Sequence, residues 1–314
     1  MLVRSAEAFD SYFNKQLKKL NTDYLDVYLF HHLNQDEIPK LEKFNLIKKM
    51  EELKESGLVK HFGFSFHDTL PVFKKIVDLY PWEICQIQYN YMDTGVQATT
   101  EGLKYAHEKG LAVVIMEPLR GGYLANPPKQ ALDVMNKSSV KRTPVDWALQ
   151  FLWNQPEISV ILSGMSNLPQ LKENVESASR SGIDSLSPEE NQTIEELASI
   201  FNKNIVVPCT ACNYCMPCPS EVNIPQNFAF LNAEGMKMGS FENRFMQAFV
   251  RMRYKRLASN KKELLKKPNN GKASLCVKCG VCKPKCPQNI DIPTCLEKAD
   301  LVLSKKRNIE EIFK

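Results

Sequence analysis

Nine of the ten cysteines of this 314-residue chain fall between positions 209 and 295, and only Cys85 lies before them. That skew constrains the fold more than any other feature of the sequence. The first run is Cys209-Thr-Ala-Cys212-Asn-Tyr-Cys215-Met-Pro-Cys218-Pro219, and the second is Cys276-Val-Lys-Cys279-Gly-Val-Cys282-Lys-Pro-Lys-Cys286-Pro287. The second reproduces the C-x2-C-x2-C-x3-C-P run of bacterial ferredoxins, and the first has two residues where that run has three. Three cysteines at i, i+3 and i+6 let one tight turn present three thiolates to three corners of an iron–sulfur cube. A fourth ligand must come from elsewhere. In two-cluster ferredoxins the fourth cysteine of each run ligates the other cluster. The expected sets are therefore Cys209, Cys212, Cys215 and Cys286 for one [4Fe–4S] cluster, and Cys276, Cys279, Cys282 and Cys218 for a second.

Zinc is the alternative ligand. A structural zinc site takes four ligands, commonly two C-x2-C knuckles. It would leave the third cysteine of each run unused. Cys85 and Cys295 stand outside the pattern, and Cys85, in an apolar run, reads as a small buried hydrophobe.

Composition excludes several classes. The net charge of +5 is mild, and no basic stripe interleaved with aromatics suggests nucleic acid. No apolar run is long enough to span a membrane, and the first residues lack the apolar core of a signal peptide. The expectation is a cytoplasmic protein whose thiols stay reduced and bind metal rather than pair as disulfides.

Residues 1–201 alternate helical and strand-like stretches. Helical patterns at 5–20, 41–56, 70–80, 99–109 and 144–153 precede apolar runs at 24–31, 59–65, 84–90, 111–118 and 159–164. Five helix-then-strand units without hairpin signals predict a parallel α/β sheet or barrel, with a longer excursion at 123–142. Polar residues end each run: His31 and His32, Ser65 and His67, Gln88 and Asn90, Glu117, then Ser163 and Ser166. Any one of them could be a cap or loop residue. Their recurrence at the ends of five successive strands points to a shared site, because the C-terminal strand ends of a (β/α)8 barrel carry its chemistry. Residues 202–314 form the second expected domain. Its segments 227–236 and 241–266 read as helices holding two cluster loops together, as in an α-helical ferredoxin.

On the motifs LDVYLFHHL (25–33), HFGFSFHD (61–68), QIQYNYMD (86–93), GLAVVIMEPLRGG (110–122) and SGMSNLPQLKEN (163–174), followed by CTACNYCMPCP (209–219), the chain resembles the aldo/keto reductase family. Within it, it is similar to the subgroup with a C-terminal [4Fe–4S] dicluster domain. The resemblance implies a (β/α)8 (TIM) barrel followed by a small all-α ferredoxin-like domain, and reduction of a carbonyl substrate with NAD(P)H. It implies that His31 is the catalytic histidine, that Ser65, Gln86 and Met116 meet the nicotinamide, and that Gly164, Ser166, Gln170 and Asn174 meet the adenosine side. Phe66 replaces the family's usual Asn, and no Arg or Lys occupies the usual 2′-phosphate positions of the 163–174 loop, so NAD and NADP stay open.

The family's first three βα units, which carry the other tetrad residues Asp, Tyr and Lys, have no counterpart here, so the chain reads as N-terminally truncated. The expected partners are a small-molecule substrate, a redox partner protein, or an N-terminal fragment completing the barrel. Two functional classes follow: an iron–sulfur oxidoreductase, or a non-catalytic electron-transfer or partner-docking module.

Overall fold

The computed structural model describes residues 5–235, 248, 250–254 and 271–313. Most of the predicted helix at 241–266 lies outside the described residues. The chain divides into two compact units, Met1–Leu119 with Val145–Ser187, and Arg120–Pro144 with Pro188–Lys314. One helix runs from Pro188 to Asn204, across position 201.

The first unit is built on five parallel strands in sequential order, β1 (Leu25–Leu33), β2 (Val59–Phe66), β3 (Ile84–Gln88), β4 (Ala112–Met116) and β5 (Ile158–Ile161). Helices connect them, as parallel strands require. These are α1 (Ala6–Leu20), α2 (Ile38–Lys43), α3 (Leu46–Glu55), α4 (Leu70–Val77), α5 (Thr99–Glu108), α7 (Pro144–Trp153) and α8 (Leu168–Ala178); α6 (Lys129–Lys137) belongs to the second unit. The single helix expected over 41–56 is two. Asn45 sits in the left-handed region (φ 50°) and breaks it, a conformation Asn tolerates better than most residues.

Local signals explain the first unit's edges. Ser5 caps α1 by accepting from Ala8 N at 3.2 Å, and left-handed Asn21 closes it. Phe9 and Phe13, one turn apart, bury against Tyr28 of β1. Strand β2 alternates Phe62, Phe64 and Phe66 on one face, and Phe64 meets Phe73 and Trp82 there. Gly63, between them, permits the β2–β3 pairing, since a Cβ there would stand 1.9 Å from the Ile84 carbonyl oxygen. Cys85 is fully buried on β3, the central strand of the sheet, as the apolar run predicted, and burial pushes its thiol pKa far up.

The second unit is helical, with no strand among its described residues: α6, α9 (Pro188–Asn204), α10 (Ile224–Gly235), α11 (Ile292–Leu303) and α12 (Ile309–Ile312). Its core joins Val222, Ile224, Phe228 and Leu231 to Ile292, Leu296, Ala299 and Val302. No helix among the described residues is long and apolar enough to cross a membrane.

Candidate iron–sulfur centres and strand-end site

The two cysteine runs fold by the same backbone rule. Ala211 and Asn213 in the first run, and Lys278 and Gly280 in the second, have φ of 57°, 64°, 56° and 76°. These are the third and fifth positions of each run. Single left-handed residues between right-handed ones turn successive N–H groups inward, making a nest suited to anions and found at many iron–sulfur sites. In the first nest the Ala211 N–H already reaches Cys209 Sγ at 3.4 Å. Gly280, and less strongly Asn213, signal this conformation in the sequence; Ala211 and Lys278 adopt it at an expense of roughly 1–3 kcal/mol each.

Two buried amides bring the runs together. Asn232 of α10 accepts from Val206 N and Val207 N at 3.1 and 2.9 Å and donates to Val207 O at 2.9 Å, fixing the entry to the first run. Asn227 donates to both Asn223 O and Gly271 O at 2.7 Å, while Asn223 N also donates to Gly271 O. The approach to the second run is thereby tied to the loop that follows the first.

Cys209, Cys212, Cys215 and Cys286 line one concavity, walled by Ile224, Phe228, Ile290 and Ile292. Burial raises the Cys209 thiol to about 11, and burial with negative neighbours raises Cys215 to about 12. Cys282 is raised by burial and by Cys276, Cys218 and Cys279, which mark the second set. Thr210 lines the first concavity, and its buried hydroxyl has no hydrogen-bond partner among the described residues. Also among the described residues, no three His, Cys, Asp or Glu side chains converge closely enough to hold a single metal ion. An apolar-walled concavity ringed by four thiols, with inward N–H groups and an orphan hydroxyl, fits a wider anionic body such as a four-iron cluster.

The strand ends of the first unit form a second polar centre. β1 and β2 lose register between Phe30 and Leu33, and His32 has φ 61°. His31 and His32 therefore stand in a bulge inside the strand rather than at its end, and a bulge re-aims side chains. The Ser65 hydroxyl accepts from His32 N at 2.7 Å, which pins the bulge. His32 lies 4.8 Å from the His67 ring.

Behind them runs a chain of amides. Gln88 and Asn90 each donate to Asp93 Oδ2 at 2.9 Å. The Gln88 carbonyl oxygen then accepts from Gln97 Nε2 at 3.1 Å, and Gln97 Oε1 faces His67 Nδ1 at 3.2 Å. The carboxylate orients each amide in turn, so His67 carries its proton on Nδ1. Burial and the neighbouring His32 lower the His67 pKa to about 3. Burial also lowers His31 and His32.

The predicted nicotinamide residues divide into two groups. Gln86 donates weakly to the Met116 sulfur at 3.4 Å on adjacent strands, while Ser65 is buried on β2. Gly164, Ser166, Gln170 and Asn174 lie on the loop and helix after β5. There Gln170 Oε1 accepts from Ser166 N at 2.8 Å, Asn174 donates to Ser163 Oγ at 2.7 Å, and Asn167 caps α8. Ser65 keeps its hydroxyl proton to donate, and a Cβ at Gly164 would meet open space. These features fit a polar ligand along the strand ends. Sequence reading passed over Asp93 and Gln97, although amides at 88 and 90 followed by Asp93 are a spacing that could have flagged them. Thr210 and Arg120 carried no such signal.

The chain is similar to known proteins. A profile described as the aldo/keto reductase family matches residues 4–199, and one described as a 4Fe-4S dicluster domain matches residues 208–291. The L-galactose dehydrogenase of Arabidopsis thaliana is 26% identical over 221 residues, 65% of this chain and 68% of that protein. An aldo-keto reductase from Bacillus halodurans, in its holo form, superposes with a TM-score of 0.52 at 24% identity, covering 62% of this chain and 65% of that one. Another, from Klebsiella pneumoniae in complex with NADP and acetate, gives 0.50 at 22% identity over 61% and 65%. The chain spans about two thirds of the length of each relative, and at these identities the structural likeness concerns the fold.

Proposed function

The chain belongs to the aldo/keto reductase family and carries a 4Fe-4S dicluster domain, and from that premise we propose that it is an iron–sulfur oxidoreductase holding two [4Fe–4S] clusters. The observation that carries this reading is the matched pair of cysteine loops, each with left-handed residues at its third and fifth positions, with Cys286 of the second run lining the same concavity as Cys209, Cys212 and Cys215. When bound, such clusters supply one-electron redox chemistry. Cys209, Cys212, Cys215 and Cys286 would hold one, and Cys276, Cys279, Cys282 and Cys218 the other. Thr210 would donate a hydrogen bond at the first.

The strand-end residues do the substrate side of the work. His31, kept neutral near pH 7 by its lowered pKa, hydrogen-bonds a carbonyl or hydroxyl oxygen. Ser65 donates to a carboxamide, Gln86 and Met116 flank the ring, and Gly164, Ser166, Gln170 and Asn174 take the adenosine end of NAD(P)H. A redox protein would dock where Cys279 is exposed, flanked by Val277 and Val281, which are 70% and 45% exposed.

A second reading is a non-catalytic electron-transfer or docking module. The buried Ser65 favours it, because a residue that is only 4% exposed offers a ligand little access to its hydroxyl. Two measurements on anaerobically purified protein test these readings. Iron and sulfide assays with EPR should give near eight iron per chain, and a value near one or two would refute the clusters. Fluorescence titration with NADPH and NADH should show saturable binding; its absence would leave the module reading.

A further inference from the structure

The two cysteine loops share a backbone pattern and differ at their second position. Both turn left-handed at the third and fifth residues, Ala211 and Asn213 in one loop and Lys278 and Gly280 in the other. Directly after the first cysteine stands Thr210 in one and Val277 in the other. Val277 is 70% exposed, whereas Thr210 is 5% exposed. Thr210 lines the concavity shared by Cys209, Cys212, Cys215 and Cys286. Its hydroxyl oxygen is buried without a hydrogen-bond partner among the described residues. The backbone of Thr210 is held from behind. A Cβ at Gly121 would stand 2.3 Å from the Thr210 carbonyl oxygen, an approach of backbone to backbone that only glycine allows.

A buried hydroxyl left without a partner is unfavourable, and a valine of nearly the same shape would avoid the cost. The apolar wall of Ile224, Phe228, Ile290 and Ile292 offers no acceptor side chain, and the Asn213 amide nearby donates to Ala211 O at 2.9 Å. A cube of iron and sulfide in this concavity presents sulfur acceptors. Threonine carries one donor hydrogen and can turn it toward the acceptor at hand. A hydrogen bond to an anion is stronger than one to a neutral group, and it gains as the anion gains charge. Bonds to cluster sulfurs therefore favour the reduced state and set the potential higher.

We propose that the Thr210 hydroxyl donates a hydrogen bond to the cluster bound by Cys209, Cys212, Cys215 and Cys286 and thereby raises its reduction potential. The second loop, with Val277 at the matching position, has no hydroxyl there to give. The inference deepens the two-cluster reading above and rests on it. Reduction adds one electron to the cube, supplied in the test by dithionite. No bond breaks, and the hydroxyl proton stays on Thr210. Thr210 is a tuning residue, not a ligand.

The test is an EPR-monitored redox titration of the full-length, cluster-loaded chain, with proton ENDOR of the reduced protein in water and in deuterium oxide. Thr210→Val should lower one of the one-electron transitions by about tenfold in equilibrium constant, about 59 mV, and leave the other in place. Thr210→Ser, which keeps the hydroxyl, should stay within about twofold of wild type. One exchangeable-proton coupling should vanish in Thr210→Val and persist in Thr210→Ser, a change that altered packing alone would not produce. Unmoved transitions or unchanged couplings in cluster-loaded Thr210→Val would overturn the inference, as would equal shifts of both transitions. Should Thr210→Val lose its iron, iron kept by Thr210→Ser still assigns the bond to the hydroxyl, and iron lost from both overturns it. A wild-type chain without iron would instead remove the two-cluster reading, and the iron assay separates the two failures.

Discussion

Replacing His67 by Gln should flatten the acid sensitivity of the first unit. His67 titrates at about 3 in the folded chain against an ordinary value of 6.5, chiefly because the folded surroundings strip water from its ring. Between those values the unfolded chain binds a proton that the folded chain does not. Stability then rises with pH. The contribution is fully present above pH 6.5 and is lost as pH falls from 6.5 toward 3. The whole window corresponds to at most about 5 kcal/mol. Moving from pH 7 to pH 5 should remove about 2 kcal/mol of it. Urea unfolding followed by tryptophan fluorescence is the assay, because Trp82, Trp147 and Trp153 all lie in the first unit and report on it alone. Wild type should lose about 2 kcal/mol more than His67→Gln between the two pH values. Equal losses in the two proteins, within about 0.5 kcal/mol, would refute both the buried neutral imidazole and the amide chain that orients it.

Other perturbations separate the remaining contacts. Gly63→Ala should abolish soluble expression or lower stability by more than about 4 kcal/mol, since β3 backbone occupies the space a Cβ needs; a normal thermal melt would contradict the β2–β3 register. Asn232→Leu strands the buried N–H of Val207 and its carbonyl, so it should cost about 2–4 kcal/mol and speed bleaching of the cluster chromophore on warming. Cys286→Ser and Cys218→Ser should each remove about half the iron but leave different EPR signals, because each cysteine completes the opposite run. Identical residual spectra would mean the exchange is wrong.

The sequence by itself determined the chemistry that depends on spacing. Cysteines three apart with a proline after the fourth specify two cluster loops, and apolar runs alternating with helical patterns specify parallel strands joined by helices. Both are short-range regularities, so a linear string records them. Even the helical character of the described residues of the second unit follows from the absence of strand-like alternation after Pro188.

Tertiary structure decided what spacing cannot encode. The predicted helix over 41–56 splits at Asn45 because one left-handed residue outweighs helical periodicity. His31 and His32 stand in a bulge because β1 must keep register with β2 while the Ser65 hydroxyl holds the His32 N–H, a pairing 33 residues apart. The Asp93–Gln88–Gln97–His67 chain needs four side chains from three segments to face one another. Arg120 reads in the sequence as an ordinary loop cation. Only packing buries it, in a turn whose next residue, Gly121, lies backbone to backbone against Thr210 of the first cysteine loop, a contact between positions ninety residues apart that spacing cannot record.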